Sequence, residues 1–161
     1  MKLTDREKAL RLKSALEAIE EILNPTDVET TLQQVCVVLH ERIPYYHWVG
    51  FYLVASPEKK ELILGPYVGE ATEHVRIPFG QGICGQAAER KATFVVQDVR
   101  QESNYLSCSI AVQSEIVVPI MKGNRVLGEL DIDSHELAPF SDVDRQYLEK
   151  LCQRLADLLE Q

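Results

Sequence analysis

Apolar residues recur every three or four positions near both ends of the chain, which is the spacing of an amphipathic helix. The first stripe follows the motif TDRE (4–7), a capping box in which a threonine precedes a glutamate by three positions. A second stripe ends at about Arg42 and follows TDVE (26–29), another predicted capping box. A third follows Ser141, with Asp144 at the third helical position. The pattern therefore predicts two N-terminal helices and one C-terminal helix.

Between these helices the apolar runs are shorter and typical of strands. They are HWVGFYLV (47–54), ELILGPYVG (61–69), HVRIPF (74–79), FVVQDV (94–99), EIVVPIM and RVLGELDID. Lys122-Gly123-Asn124 joins the last two as a hairpin, a short helix opens at ICGQAAERK, and residues 100–114 form a polar loop. This order predicts an α+β fold, in which helices pack on one face of an antiparallel sheet. The first and last helices could cover the sheet together, or their stripes could form a homodimer seam.

The composition is typical of a globular domain and argues against a nucleic-acid-binding or a membrane protein. With 161 residues, 45% of them apolar and 26% charged, it predicts a single domain, residues 1–161, with a first helix over 1–25 and a core over 26–161. The net charge is −8 and the sequence has no cluster of basic residues, so no nucleic acid partner is expected. No apolar run reaches the roughly 20 residues of a membrane span, and the charged N-terminus is unlike a signal peptide. We therefore expect a cytoplasmic protein without a membrane partner.

The four cysteines are expected to be free, metal-bound or redox-active rather than a disulfide framework, because the chain reads as cytosolic. No Cys-x-x-Cys or His/Cys spacing indicates zinc, so no metal site is expected. Cys36 and Cys152 lie on apolar helical stripes and are interpreted as core residues.

Cys108 lies in the polar loop, whereas a structural cysteine prefers an apolar setting. Glu115 follows inside the apolar run EIVVPI, where a carboxylate is expensive to bury unless it is used or paired. Asp131 and Asp133 share one face of a strand because side chains alternate. A thiol beside three carboxylates indicates redox chemistry on a small polar ligand with a positive charge.

Three further residues are candidates with an alternative reading each. Cys84 lies at the predicted start of the short helix, and helix N-termini lower the pKa of a thiol. Cys84 could equally be a small buried residue under a glycine turn. Trp48 and Tyr52 have the same strand parity and could form the wall of an apolar slot, although packing explains them equally well.

The motifs WVGFYL, LGPYVG, VRIPFGQGICGQAA, QDV, SEIVVPI, GELDIDS and F-S-D-x-D, together with the Cys108 loop, resemble a GAF domain from about residue 28 onward. The combination of GICG, the loop cysteine, SEI and DIDS is similar to the free methionine-(R)-sulfoxide reductases, which are stand-alone GAF proteins. This resemblance implies that Cys108 is the nucleophile and that Glu115, Asp131 and Asp133 hold the substrate.

The chain departs from that family in the loop and before the RIP motif. His74 stands where the family commonly has a cysteine, and we expect it to be a surface strand residue. Ser109 replaces a common aspartate, and the usual His-Ile-Ala-Cys reads Tyr-Leu-Ser-Cys at 105–108. With the thiol at 74 missing, Cys84 becomes the natural resolving cysteine.

The resemblance implies reduction of free methionine-(R)-sulfoxide, or a similar small molecule, without a bound cofactor and with electrons from a thioredoxin-like dithiol. Glu115, with a raised pKa, would protonate the leaving oxygen. We expect the 100–114 loop to be mobile, to close toward Gly82–Gly85 over a floor of Asp131 and Asp133, and to form a Cys84–Cys108 disulfide. The alternatives are a GAF ligand-binding or sensory module without turnover, and a redox switch of the same two thiols.

Overall fold

A computed structural model of the chain describes residues 2–106 and 109–160. Its strands are β1 (Trp48–Val54), β2 (Glu61–Val68), β3 (Arg76–Pro78), β4 (Phe94–Val96), β5 (Ser114–Lys122) and β6 (Arg125–Ser134). They form one antiparallel sheet in the order β3-β2-β1-β6-β5-β4. The strands β1 and β6 are therefore central, and the two shortest strands form the edges.

The helices lie on both faces of this sheet. They are α1 (Asp5–Ile22), α2 (Val28–Arg42), α3 (Gly82–Arg90) and α4 (Asp142–Leu159). The three long helices bury their apolar stripes on one face, against side chains such as Phe51 and Ile132, which confirms the predicted α+β arrangement. The short α3 covers the opposite face, where its Ile83 and Ala87 pack near Tyr52. Within the described residues, no helix is both long enough and apolar enough to cross a bilayer.

The stripes of the first and last helices are buried within the chain. Leu12 and Ile19 of α1 share a core with Leu148 and Leu155 of α4, and all four are at most 1% exposed. Of the two alternatives left by the sequence, the structure therefore shows both stripes buried within the chain, with α4 packed on β5 and β6 and α1 packed on α2 and α4.

One of the two predicted capping boxes is present, and the predicted cap Ser141 also forms a capping box with Asp144. In the first, the Glu7 N–H donates to the Thr4 hydroxyl at 3.2 Å, and in the last the Ser141 N–H donates to the Asp144 carboxylate at 2.8 Å. The box predicted at 26–29 is wrong, because Asp27 is the N-cap and accepts from the Thr30 N–H at 3.2 Å. The Thr26 hydroxyl instead donates to Asn24 at 2.7 Å.

Both edge strands are shorter than predicted. The runs 74–79 and 94–99 retain three strand residues each, Arg76–Pro78 and Phe94–Val96. The second run leaves the sheet because the Asp98 carboxylate accepts from the Arg100 N–H at 3.0 Å and starts a 3₁₀ turn.

The hairpin between the last two strands is tighter than predicted. Lys122 pairs with Arg125, so the turn holds only Gly123 and Asn124. Gly123 has a φ of +59°, which suits the first central position of a two-residue hairpin turn. A register shift follows at Ile120–Met121. The turn and this shift together fix which residues of β6 face each layer of helices.

A buried polar network joins α4 to the N-terminal half of the chain. Asp144 is fully buried, and its carboxylate accepts from the hydroxyl groups of Tyr45 at 2.6 Å and Tyr46 at 2.7 Å. The Lys8 ammonium of α1 lies 3.4 Å from the other oxygen and also donates to the Pro139 carbonyl at 2.5 Å. One carboxylate therefore ties α1, the α2–β1 connection and the start of α4 together.

We expect Asp144→Ala to lower the free energy of unfolding by about 3–5 kcal/mol, because it leaves the buried Lys8 charge and two hydroxyl groups without their acceptor. The matched control is Asp142→Ala, two residues earlier, whose side chain is 82% exposed and should change stability by about 1 kcal/mol or less. Urea denaturation measures both. Equal losses in the two variants would contradict the role given to Asp144.

Candidate active site

The central strand β6 carries acidic side chains on one face and apolar ones on the other. Leu130 and Ile132 point into the core of the three long helices. Glu129, Asp131 and Asp133 alternate with them and are 0%, 2% and 2% exposed. The predicted shared face of Asp131 and Asp133 is therefore confirmed. Glu129 was missed, although its parity in GELDIDS places it on the same face.

Two other elements bring their groups to this acidic face. Glu115 of β5 pairs directly with Asp133 of β6 and is 6% exposed. From α3, the Cys84 thiol donates to Glu115 Oε2 at 3.7 Å. One donor atom each from Cys84, Glu115 and Asp131 lie within 4.8 Å of one another. Four buried carboxyl groups and one thiol thus meet between the sheet and α3.

A small cavity opens over this cluster. Cys84, Glu115 and Asp131 line it, together with Tyr52, His74, Ile77, Gly82, Ile83 and Leu106. About 10 Å³ is free to the centre of a water-sized sphere, which is room for a single water molecule or ion. The cavity as described is therefore too small for an amino acid.

The predicted aromatic residues differ in their positions. Tyr52 lines the cavity, and its hydroxyl donates to the His74 carbonyl at 2.8 Å. Trp48 pairs with Asp133 across the sheet and is not among the residues that line the cavity. Its ring stacks on Tyr67 with centroids 5.3 Å apart, and its indole N–H donates to the Glu70 carbonyl at 2.9 Å.

His74 is not the surface strand residue that was expected. The strand begins only at Arg76, and His74, which precedes it, is half-buried and accepts a hydrogen bond from the Tyr52 hydroxyl through its carbonyl. The residue that replaces the family's cysteine therefore lies at the cavity.

Cys108, together with Ser107, lies outside the described residues. Its role as nucleophile, the mobility and closure of its loop and the Cys84–Cys108 disulfide stay predictions. Cys36 and Cys152 are buried free thiols on α2 and α4, as expected of core residues. Burial raises the pKa of Cys36 to about 12.

Burial dominates the electrostatics of the acidic face. It raises the pKa of Glu129, Asp131 and Asp133, and the charge of Asp131 raises the pKa of the other two further. Burial also raises the pKa of Cys84, as do the charges of Asp131, Glu129 and Glu115. The prediction that the helix start lowers this pKa is wrong, because burial and the neighbouring carboxylates raise it. Cys84 is a protonated thiol at neutral pH.

Comparison with known proteins decides the family, because the sequence profile of the GAF domain matches residues 25–160. The chain belongs to the GAF domain family. It is 38% identical over 134 residues to the free methionine-R-sulfoxide reductase of Escherichia coli, which covers 83% of this chain and 79% of that protein. The resemblance to this group of GAF proteins is thereby confirmed.

Two solved structures of free methionine-R-sulfoxide reductases are similar to the structure of this chain. The free methionine-R-sulfoxide reductase of Neisseria meningitidis, in complex with its substrate, superimposes with a TM-score of 0.85 at 35% identity, over 99% of this chain and 92% of that one. The type II enzyme of Thermoplasma acidophilum gives a TM-score of 0.79 at 36% identity, over 84% and 94%.

The raised pKa values of the acidic face make stability fall as pH rises. Above the ordinary carboxyl pKa of about 4 the unfolded chain has lost protons that the native state still holds, so the free energy of unfolding decreases until the raised native pKa is passed. Glu129→Gln removes one such group. We expect the stability of this variant relative to the wild type to increase with pH above about 4, by up to about 1.4 kcal/mol per pH unit.

Urea denaturation between pH 5 and pH 8 measures this difference. Glu17→Gln, on the exposed face of α1, is the control and should show no such increase. A Glu129→Gln curve parallel to that of the wild type would show that Glu129 does not hold a proton in the native state.

Proposed function

We propose that this GAF protein reduces free methionine-(R)-sulfoxide to methionine, using thiol electrons. The observation that carries the proposal is the Cys84 thiol, 3.7 Å from Glu115, at a cavity lined by buried carboxyl groups. Relatives named free methionine-R-sulfoxide reductases support it.

The acidic face suits the ammonium group of a free amino acid. Asp131 Oδ1, Asp133 Oδ1 and both carboxyl oxygens of Glu129 are buried without a hydrogen-bond partner among the described residues. An ammonium group offers three donors and one positive charge, so it would satisfy such oxygens by charge-assisted hydrogen bonds. A methionine within a peptide has no ammonium group. The proposed preference is therefore for the free amino acid.

Substrate entry requires the cover of the cavity to move. Leu106 is packed so closely on the first residue of α3 that a Cβ built on Gly82 would lie 2.8 Å from Leu106 Cγ. Since the closed cavity admits only one water or ion, we propose that Leu106 and the loop after it withdraw to admit the sulfoxide. Tyr52, and Trp48 beside it, would then form the wall for the methyl-thioether.

The proposed chemistry has two thiol steps. Cys108 attacks the sulfoxide sulfur, the sulfur–oxygen bond breaks, and the products are methionine and a Cys108 sulfenic acid. Glu115 protonates the oxygen during this transfer. The Cys84 thiol then attacks the sulfenic sulfur, which gives a Cys84–Cys108 disulfide and one water molecule. A thioredoxin-like dithiol reduces this disulfide by exchange.

The raised pKa of Cys84 is consistent with a resolving role. A thiol that stays protonated at neutral pH does not compete as a nucleophile for the sulfoxide, because only the thiolate attacks well. When the sulfenic acid arrives, the Cys84 proton can pass through Glu115 to the departing hydroxide. This assigns Glu115 to both steps.

A second candidate function is a GAF ligand-binding module without turnover. The observation that favours it is His74, which lines the cavity where the family commonly has a further thiol. The same cavity would then bind its ligand without reducing it, and the measurements below separate the two functions.

The setting of the proposed reaction is the cytoplasm, where dithiol reductants are available. A homodimer was left open by the sequence. Because the stripes of the terminal helices are buried, a dimer would have to form through other residues, such as Leu10, which is 63% exposed. The molar mass in solution tests it.

We expect Cys108→Ser to abolish turnover and Cys84→Ser to permit one turnover per chain without recycling. The assay follows NADPH consumption with thioredoxin, its reductase and free methionine-(R)-sulfoxide, and methionine formed per chain in the absence of reductant. Cys152→Ala, a thiol in the opposite core, should keep wild-type rates. Wild-type turnover by Cys108→Ser would refute the mechanism, and ligand binding with no methionine formed by the wild type would favour the second candidate.

We expect Asp131→Asn to raise KM for free methionine-(R)-sulfoxide at least tenfold, because it weakens a charge-assisted contact worth about 1.4 kcal/mol or more. Its melting temperature should stay level or rise, since one buried acid is removed from a repelling cluster. The exposed Asp157→Asn is the control. N-acetylated substrate, which lacks the ammonium group, should be poor for every variant. A melting temperature lowered by tens of degrees would mark Asp131 as structural.

A further inference from the structure

Cys84, Glu115 and Asp131 come from α3, β5 and β6, and their donor atoms lie within 4.8 Å of one another. The Cys84 Sγ to Glu115 Oε2 distance is 3.7 Å. Around a tetrahedral zinc ion, with Zn–S of about 2.3 Å and Zn–O of about 2.0–2.2 Å, a sulfur and an oxygen ligand are separated by about 3.5–3.7 Å. This pair of atoms is thus already at the separation of two zinc ligands.

The cavity supplies a second and independent observation. Asp131 is 2% exposed and lines the cavity, and its Oδ1 has no hydrogen-bond partner among the described residues. The cavity that Asp131 helps to line has room for about one ion. A buried carboxylate oxygen without a partner is costly, and a cation offsets that cost. Hydrogen bonds within the cluster do not satisfy this atom.

The ligand set selects the metal. Calcium and magnesium take oxygen ligands, so a site that includes a thiolate favours a softer ion. Zinc accepts thiolate and carboxylate ligands together, and four ligands complete its coordination. Three protein groups would leave one position for water.

We propose that Cys84, Glu115 and Asp131 bind one Zn²⁺ ion per chain and that this ion inhibits the protein. On binding, a Zn–S bond replaces the thiol S–H bond, and the proton leaves to solvent without any change of oxidation state. A ligated Cys84 sulfur cannot form a disulfide. The zinc site rests on the geometry alone, whereas the inhibition, and the competition with the ammonium group of a substrate, rest on the proposed function.

One surface group could also bind the ion and therefore provides the control. The imidazoles of His47 and His135 are stacked with centroids 4.1 Å apart, and His47 Nδ1 accepts a hydrogen bond from the backbone N–H of His135 at 2.9 Å. Zinc bound there would depend on His135 and be indifferent to Cys84.

The test is calorimetric titration of the full chain with Zn²⁺, with a phosphine keeping the thiols reduced. We expect one ion per chain, at least tenfold weaker binding in Cys84→Ser and in Asp131→Asn, and affinity within about twofold of wild type in His135→Ala and Cys152→Ala. Circular dichroism verifies that each variant folds, and Cys84→Ala replaces Cys84→Ser if the serine variant does not. Absence of binding, or binding lost in His135→Ala and kept in Cys84→Ser, would overturn the site.

Cobalt identifies the sulfur ligand directly. A thiolate-to-cobalt charge-transfer band should be present in the wild type and in Cys108→Ser but absent in Cys84→Ser. A band that disappears in Cys108→Ser and persists in Cys84→Ser would assign the thiolate to the wrong cysteine and overturn the proposal.

Saturating free methionine-(R)-sulfoxide should weaken apparent zinc affinity at least tenfold. If zinc binds as predicted but its affinity does not change, the zinc site stands and the competition fails. That outcome counts against the proposed substrate and is distinguishable from failure of the metal site.

Discussion

The burial of several carboxyl groups on one face of a central strand is the constraint to which the rest of the site responds. An ionised carboxylate without a partner is among the most costly groups to bury, so it holds a proton or finds a cation. On this sheet face the raised pKa values of Glu129, Asp131 and Asp133 favour retention of a proton. The proposed ammonium and zinc ligands would instead supply a cation. Both follow from one excess of buried acid.

The burial of these acids costs free energy, which other parts of the fold must offset. The compensating stabilisation comes from the opposite face, where the three long helices bury an extensive apolar core. It also comes from Asp144, a carboxylate whose oxygens do have partners, Tyr45, Tyr46 and Lys8 among them. The described part of the molecule thus contains two kinds of buried acid: Asp144 has hydrogen-bond partners and holds helices together, whereas the cluster on β6 includes carboxyl oxygens without a hydrogen-bond partner.

What the sequence could predict was set by local periodicity. Alternation along β6 is a property of any strand, so the shared face of Asp131 and Asp133 followed from spacing alone. The direction in which the pKa of Cys84 shifts could not be predicted from spacing. It depends on how deeply α3 is buried and on acids 31 or more positions away in the chain. The lengths of the edge strands were predicted wrongly for a related reason. The hydrogen bond from the Arg100 N–H to the Asp98 carboxylate follows the end of β4, although the apolar pattern of the sequence continues beyond that end. The three candidate zinc ligands lie on three separate elements, so no motif spacing could indicate them.

The two-residue turn at Gly123-Asn124 fixes more than a hairpin. Because β6 presents Leu130 and Ile132 to one layer and its acids to the other, a single inserted residue would exchange the two sets. The acids would enter the large core, and the leucine and isoleucine would face the cavity. The same alternation of side chains along one strand therefore determines both the packing of the core and the chemistry of the cavity. Along this strand, an insertion or deletion of one residue would therefore change the core and the cavity at the same time, whereas the exchange of one side chain for another can change the cavity alone.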